Sequence, residues 1–326
     1  MALPLNKGEV LRGRYEIRQQ IGQGGTGSVY LAEDRRLEGR LCAVKEVEHD
    51  RALPTKIFEE AREQFMREAT VLARLDHPNL PKVSDFFSRE NRDYLVMDYV
   101  PGEDLRTLML DARRQKTFLR EDVVLGWANQ IANALTYLHR QSPPIIHRDI
   151  KPSNLVFDNT GRLVLTDFGI AKTETDVSIT RTGEFLGSPG YISPEQAMTR
   201  RVAVDHRTDV YSLGVTFYEL LTLVQPFLKG TMEATLRAIL YKPPVSPRKL
   251  NPRLPKDVEI ILLKSMEKDA DRRFTTSGEF AAEMHHILNF EAIGSSPVSG
   301  LTRLWRLAEK NRGAVVAGVS VLILAT

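Results

Sequence analysis

Between residues 147 and 169 two clusters of polar side chains flank a hairpin signal, and this pairing constrains the fold more than any other stretch. The first cluster is His147-Arg148-Asp149-Ile150-Lys151-Pro152-Ser153-Asn154, and the second is Asp167-Phe168-Gly169. Pro143-Pro144 stops the helical pattern that ends near His139, so Ile145–Asn154 reads as a loop after a helix. Leu155–Phe157 and Leu163–Leu165, joined by Asp158-Asn159-Thr160-Gly161, read as two short strands and their turn. The hairpin brings Asn154 back to Asp167. A loop Asp is ordinarily a cap or turn residue. Here a cation, an amide and a second carboxylate follow Asp149 in a fixed order.

The rest of the chain divides into two kinds of pattern. Tyr15–Ile21, Ser28–Ala32, Leu41–Val47, Lys82–Phe87 and Tyr94–Tyr99 are short runs of β-branched and aromatic residues bounded by turns. Among them lies one amphipathic helix, Phe58–Leu75, with Phe58, Ala61, Phe65, Ala69, Leu72 and Leu75 recurring at three and four. After Pro101-Gly102 the spacing predicts helices over Leu105–Arg114, Glu121–His139, Thr208–Leu221, Thr231–Leu240, Asp257–Met266 and Ser277–Ile287. Asp122, Asp257 and Ser277 stand near helix starts, where acceptors and negative charge are favoured. A β-rich lobe followed by an α-rich lobe is an α+β architecture with a cleft between them.

Gly22-Gln23-Gly24-Gly25-Thr26-Gly27-Ser28-Val29 fits G-x-G-x-x-G-x-V. In a dinucleotide-binding fold such glycines open a helix. Here Ser28–Ala32 reads as a strand, so the glycines form a hairpin whose backbone N–H groups can approach phosphates. Ala43-Val44-Lys45 follows on the next strand.

Taken together, the glycine loop, Ala43-Val44-Lys45, the His147–Asn154 cluster and Asp167-Phe168-Gly169 resemble the protein-kinase family over about residues 13–290. Within it they resemble the bacterial, eukaryotic-like Ser/Thr kinases, which often carry a kinase domain, a linker and one membrane span. The resemblance implies a bilobal fold, with a small lobe at 13–100 and a large lobe at 101–290. It implies ATP as phosphoryl donor with Mg²⁺, or Mn²⁺ in its place, and protein Ser/Thr hydroxyls as acceptors. Asp149 would orient the acceptor hydroxyl and take its proton. Lys151 would neutralise charge on the transferred group, and Asn154 and Asp167 would hold the metal. Lys45 would hold the α- and β-phosphates, ion-paired to Glu68. Glu59, Glu60 and Glu63 compete for that role, but Phe65 and Leu72 mark the inward face one turn either side of Glu68. Gly22, Gly24 and Gly27 would cover the phosphates. Ile21, Val29, Ala43 and Leu155 would sandwich adenine, Met97 would stand behind it, and the Asp98 and Val100 backbones would bond it.

The same resemblance makes residues 167–195 an activation segment. It ends in Ser193-Pro194-Glu195 where the family usually has Ala-Pro-Glu, and Arg273 is the expected partner of Glu195. Asp209 matches the Asp that braces the catalytic loop, with Tyr211 where the family usually has Trp. Ser178, Thr180 and Thr182 are candidate phosphorylation sites, and Arg148 offers a cation to such a phosphate. Trans-autophosphorylation would call for a homodimer. A pseudokinase scaffold would require loss of Lys45, Asp149 or Asp167, and all three are present. A small-molecule kinase would have little use for a full activation segment.

Bulk properties agree. The net charge of +3 gives no ground for nucleic-acid binding. One cysteine, Cys42, excludes an internal disulfide, suits a reducing cytosol and reads as a small buried hydrophobe. Residues 1–12 form an N-terminal extension without a signal-peptide core. Residues 291–312 read as a linker and a basic segment containing Arg303, Arg306, Lys310 and Arg312 with Trp305. Residues 313–326 carry no charge and read as the start of a membrane span, with the kinase domain on the cytoplasmic side. The other reading of that run is a helix docked on the large lobe.

Overall fold

In a computed structural model, residues 4–24, 27–48, 55–168, 189–198 and 204–295 are described. The first lobe is an antiparallel sheet of β1 (Val10–Leu11), β2 (Tyr15–Gly24), β3 (Gly27–Asp34), β4 (Leu41–Glu48), β5 (Val83–Arg89) and β6 (Arg92–Asp98). Its strand order is β1-β2-β3-β4-β6-β5. Residues 1–12 read from sequence as an extension; in the structure Val10 and Leu11 pair with Glu16 and Tyr15 and extend the sheet. Two residues are too short a run for alternation to reveal.

Alternation along the strands sends side chains to two separate cores. Cys42, Val44, Tyr94 and Val96 join Leu11, Tyr15, Ile17, Tyr30 and Phe87 on one face. Ala43, Val47, Leu95 and Met97 face the other way, onto Phe65, Ala69 and Leu72 of α1 (Thr55–Leu72). Lys45 shares the Ala43–Val47 parity and is therefore directed to that second face. α1 ends at Leu72 rather than Leu75 because the chain tightens there: Arg74 N–H bonds Val71 O and Leu75 N–H bonds Leu72 O. Leu75 stays buried nonetheless.

The second lobe contains α2 (Leu105–Arg114), α3 (Glu121–His139), the hairpin of β7 (Leu155–Phe157) and β8 (Leu163–Leu165), α4 (Pro194–Ala197), α5 (Arg207–Thr222), α6 (Met232–Tyr241), α7 (Pro247–Leu250), α8 (Lys256–Ser265) and α9 (Ser277–Leu288). Side-chain caps explain several starts. Asp104 accepts from Thr107 N–H, Thr231 from Ala234 N–H and Thr276 from Glu279 N–H. α3 is buried along Val124, Ala128, Ile131, Leu135 and Leu138 and packs against α5 and α9. It carries Glu121 and Asp122 at its positive end. α5 is buried at nearly every position and forms the axis of the lobe. Where the chain enters the second lobe, Gly102 N–H bonds Phe157 O at 2.9 Å, an approach so close that a Cβ on Gly102 would lie 2.3 Å from that oxygen.

Residues 291–295 do not leave the domain as a free linker. The Gly294 N–H and Ser295 hydroxyl bond the two carboxylate oxygens of Glu283 at 3.0 and 2.8 Å. Among the described residues no helix is long and apolar enough to cross a membrane. Residues 296–326 lie outside the described residues, as do Ser178, Thr180 and Thr182.

Candidate active site

The loop between α3 and β7 is positioned from below by one buried carboxylate. Asp209, in the first turn of α5, is fully buried. Its Oδ2 accepts the His147 N–H at 2.8 Å and His139 Nε2 at 2.9 Å, and its Oδ1 accepts the Arg148 N–H at 2.9 Å. Burial pushes this carboxyl up, but the His139 hydrogen bond, the His139 and His147 charges and the backbone bond outweigh it and hold the group below the usual carboxylate range. Thr216 of the same helix donates to Ile150 O at 3.3 Å. Gln196 donates to Arg148 O at 3.2 Å, so α4 grips the loop as well. These bonds support Arg148 in the left-handed region at φ 65°, a costly conformation for a long side chain.

At the top of this loop the polar groups converge. Lys151 Nζ donates to Asp149 Oδ2 at 2.8 Å. Asn154 Nδ2 donates to Asp149 O at 2.8 Å and to Oδ2 at 3.1 Å. With its nitrogen committed to Asp149, Asn154 presents its amide oxygen as an acceptor. The β7–β8 register pairs Leu155 with Leu165, and Thr166 N–H bonds Asn154 O at 2.8 Å, so Thr166 stands across from Asn154 and Asp167 is the next residue. Asp167 also sits in the left-handed region, at φ 61°. The pair supplies one neutral and one anionic oxygen, a donor set suited to Mg²⁺ or Mn²⁺ bound partly by phosphates.

Lys45 is 5% exposed. Its Nζ donates to the Asp167 carboxylate and, at 2.9 Å, to Phe168 O. Burial pushes Asp167 up; the charge and hydrogen bond of Lys45 pull it down further, and the group lies below the usual carboxylate range. The expected Lys45–Glu68 ion pair is not formed. Glu68 Oε1 instead accepts from Gln64 Nε2 at 2.9 Å, one turn earlier in α1. Lys45 is satisfied by Asp167 and Phe168 instead.

Strand pairing sets several of the residues expected around a nucleotide base near Lys45. The β4–β6 register sets Ala43 opposite Met97, and the β3–β4 register sets Val29 opposite Lys45. Leu155, Ala43 and Met97 are buried, Val29 is half-buried and Ile21 is exposed. The Asp98 N–H is taken by Lys82 O at 3.0 Å, which leaves its carbonyl as the group to offer a base; Val100 is half-buried just beyond. The hairpin of β2 and β3 pairs Gly22 with Val29 and Gly24 with Gly27. Gly27 has φ 142°, and a Cβ there would fall 1.8 Å from Glu46 O, so only glycine fits.

Glu195 and Arg273 form a two-pronged ion pair at 2.7 Å per bond. Arg273 also donates to the carbonyls of Arg207, Lys268 and Glu267, and its guanidinium lies 4.9 Å from the Tyr211 ring centre. Three side chains that bond residues of the site are not marked for that role by the sequence. Gln196 was signalled by the capping box Ser193-x-x-Gln196, which the structure forms. His139 was visible only as a helix end, and Gln64 had no signal beyond its spacing of four from Glu68.

The comparisons with known proteins come down on one side. The family profile described as Protein kinase domain matches residues 15–289. Serine/threonine-protein kinase PrkC of Bacillus subtilis is 36% identical over 278 residues, covering 85% of this chain and 41% of that protein. Tyrosine-protein kinase MasK of Myxococcus xanthus is 35% identical over 290 residues, covering 87% of this chain and 44% of that protein. A crystal structure of the Mycobacterium tuberculosis PknI kinase domain superposes with a TM-score of 0.67 at 28% identity, covering 88% of this chain and all of that one. The chain spans about two-fifths of the length of the curated relatives it matches. On the match over residues 15–289 and on these relatives, the chain belongs to the protein kinase domain family.

Proposed function

We propose that this chain is an ATP-dependent protein kinase that transfers the γ-phosphoryl group to Ser and Thr hydroxyls of proteins. The observation that carries this reading is the Lys151–Asp149–Asn154 cluster set beside Asp167 across one hairpin. Asp149 orients the acceptor hydroxyl and takes its proton as the new P–O bond forms. Lys151 Nζ, bonded to Asp149, is placed to neutralise charge on the group in transit. Asn154 and Asp167 would hold the metal, which would supply positive charge against the phosphates. Lys45 moves from Asp167 to the α- and β-phosphates when nucleotide enters. The relatives' names include both serine/threonine and tyrosine kinases, so they do not decide the acceptor. Lys151 favours the Ser/Thr reading. Incubation with γ-labelled ATP and a generic acceptor protein, followed by phosphoamino-acid analysis, tests it: label on Ser and Thr is expected, and label confined to Tyr would refute the specificity.

The same reading extends to the ends of the chain. The kinase phosphorylates its own activation segment at Thr180, Thr182 or Ser178, acting in trans between two copies. Residues 313–326 begin a membrane span that keeps the domain at the cytoplasmic face, supported by the uncharged run and the Arg303, Arg306, Lys310 and Arg312 before it.

A further inference from the structure

Glu219 of α5 is a buried carboxylate, 4% exposed, and both of its oxygens are taken. Oε1 accepts from Arg113 Nη2 at 3.0 Å, and Oε2 accepts the Tyr191 hydroxyl. Arg113 Nε also donates to Leu223 O at 2.8 Å, and Tyr191 O accepts from the Ser212 hydroxyl at 2.8 Å. Tyr191 thus ties the chain just before Glu195 to α5, and Arg113 ties α2 to the same carboxylate. α2 also packs on the turn Pro152–Asn154 that follows Lys151. It therefore neighbours both the catalytic loop and the end of the segment that begins at Asp167. Arg106 precedes Arg113 by two helical turns, about 10 Å along the same side of α2. Its charge reaches Tyr191: burial and Glu219 push the Tyr191 hydroxyl well above its ordinary range, while Arg106 and Arg113 pull the other way. Arg106 is exposed, and among the described residues its side chain has no hydrogen-bond or ion-pair partner. It stands in the first turn of α2, where the helix dipole disfavours a cation and no acidic residue offsets it.

We propose that Arg106 is a specificity-determining residue that favours acceptor proteins with an Asp or Glu side chain close to the hydroxyl that is phosphorylated. The inference rests on the kinase reading above. An acceptor that brings a hydroxyl to Asp149 passes over the neighbouring surface of α2 and Tyr191. Glu219 lies beneath that surface, but it is buried and bonded through both oxygens, so it does not offer its charge to a basic acceptor residue. Arg106 offers an uncompensated positive charge on the same side. An acceptor carboxylate pairs with it, and an acceptor Lys or Arg is repelled.

Steady-state kinetics of the whole chain with synthetic peptides tests this. Each peptide carries one Ser in an Ala and Gly background, with Asp, Ala or Arg at a single position near that Ser, and the position is scanned along both sides. At one or two adjacent positions Asp should lower the peptide KM by about two- to fivefold against Ala, the range of a solvent-exposed ion pair, and Arg should raise it. kcat should not change. Arg106→Gln should erase these differences, and Arg106→Glu should reverse them at the same positions. All three chains should use the Ala peptide alike, a result that a merely structural role would not give. NaCl at about 0.5 M should shrink the wild-type preference. The Arg106 side chain is exposed and Gln and Glu are good helix formers, so α2 persists in both variants. A preference for Asp that survives Arg106→Glu, or Ala-peptide kinetics that move as far as the Asp-peptide kinetics, overturns the proposal. Equal use of the Asp, Ala and Arg peptides, or labelling of a generic protein acceptor but of no Asp peptide, sinks the Arg106 role and leaves the kinase reading standing. A wild-type chain that phosphorylates neither peptide nor protein overturns both.

Discussion

Arg273 and Glu195 lie 78 residues apart in sequence and meet in two parallel hydrogen bonds of 2.7 Å, the Arg273 side chain fully buried and the Glu195 side chain 8% exposed. The pair ties the turn before α9 to the end of the segment that begins at Asp167. α4, which contains Glu195, also grips the catalytic loop through Gln196. The pair therefore positions Asp149 at a distance.

Removing one partner of this pair should be costly. Arg273→Ala leaves Glu195 as a buried charge and strips three carbonyls of a donor. We expect it to lower unfolding free energy by about 3–5 kcal/mol in urea titration. Arg273→Lys should recover less than half, because an ammonium cannot reproduce the fork. A loss below about 1 kcal/mol in Arg273→Ala would contradict the buried-pair account.

Asp209 makes an acid prediction with a definite sign. Its folded carboxyl lies below the ordinary range, so its contribution is fully present above the unfolded value of about 3.9 and is lost as pH falls through the folded value. The difference in unfolding free energy between wild type and Asp209→Asn should be constant from about pH 7 to 5 and shrink below about pH 4. A difference that grows toward acid would mean that the folded carboxyl is raised instead.

Much of the site was readable because its parts are local. Pro143-Pro144, the Asp158–Gly161 turn and the strand runs beside it specify where Asn154 and Asp167 go, and the predicted spans of α2 and α3 match the observed ones. What escaped depends on tertiary choice. The helical spacing of α1 predicts Glu68 for Lys45; Phe65 and Leu72 on that face are buried, and Glu68 bonds Gln64. Which donor satisfies Glu68 depends on what else Lys45 touches, and spacing along one helix cannot supply that. β1 escaped because pairing partners outside the strand define it. His139 escaped because its role exists only where α3 meets α5.

The activation-segment prediction concerns residues beyond the described ones. After incubation with ATP and Mg²⁺, peptide mass spectrometry should find phosphate at Thr180 or Thr182. Such a group carries roughly −1.5 to −2 charge and can order a loop against Arg148. A fully active chain with residues 177–200 unmodified would refute it.

Membrane attachment is tested by fractionating cells that make the whole chain or a truncation ending at Ser295, which preserves the bonds from Gly294 and Ser295 to Glu283. The whole chain should pellet with membranes and the truncation should not. Equal solubility would favour a C-terminal helix docked on the large lobe.

The most direct test of the mechanism is the rate of γ-phosphoryl transfer to a protein acceptor by wild type, Asp149→Asn and Lys45→Met. Asp149 loses its ability to take the proton and Lys45 its charge, while neither change opens a hole in the core. Each variant should keep the wild-type circular-dichroism spectrum and lose about 10²–10⁴-fold in kcat/KM. A folded Asp149→Asn chain that retains activity within a few-fold of wild type would contradict the account.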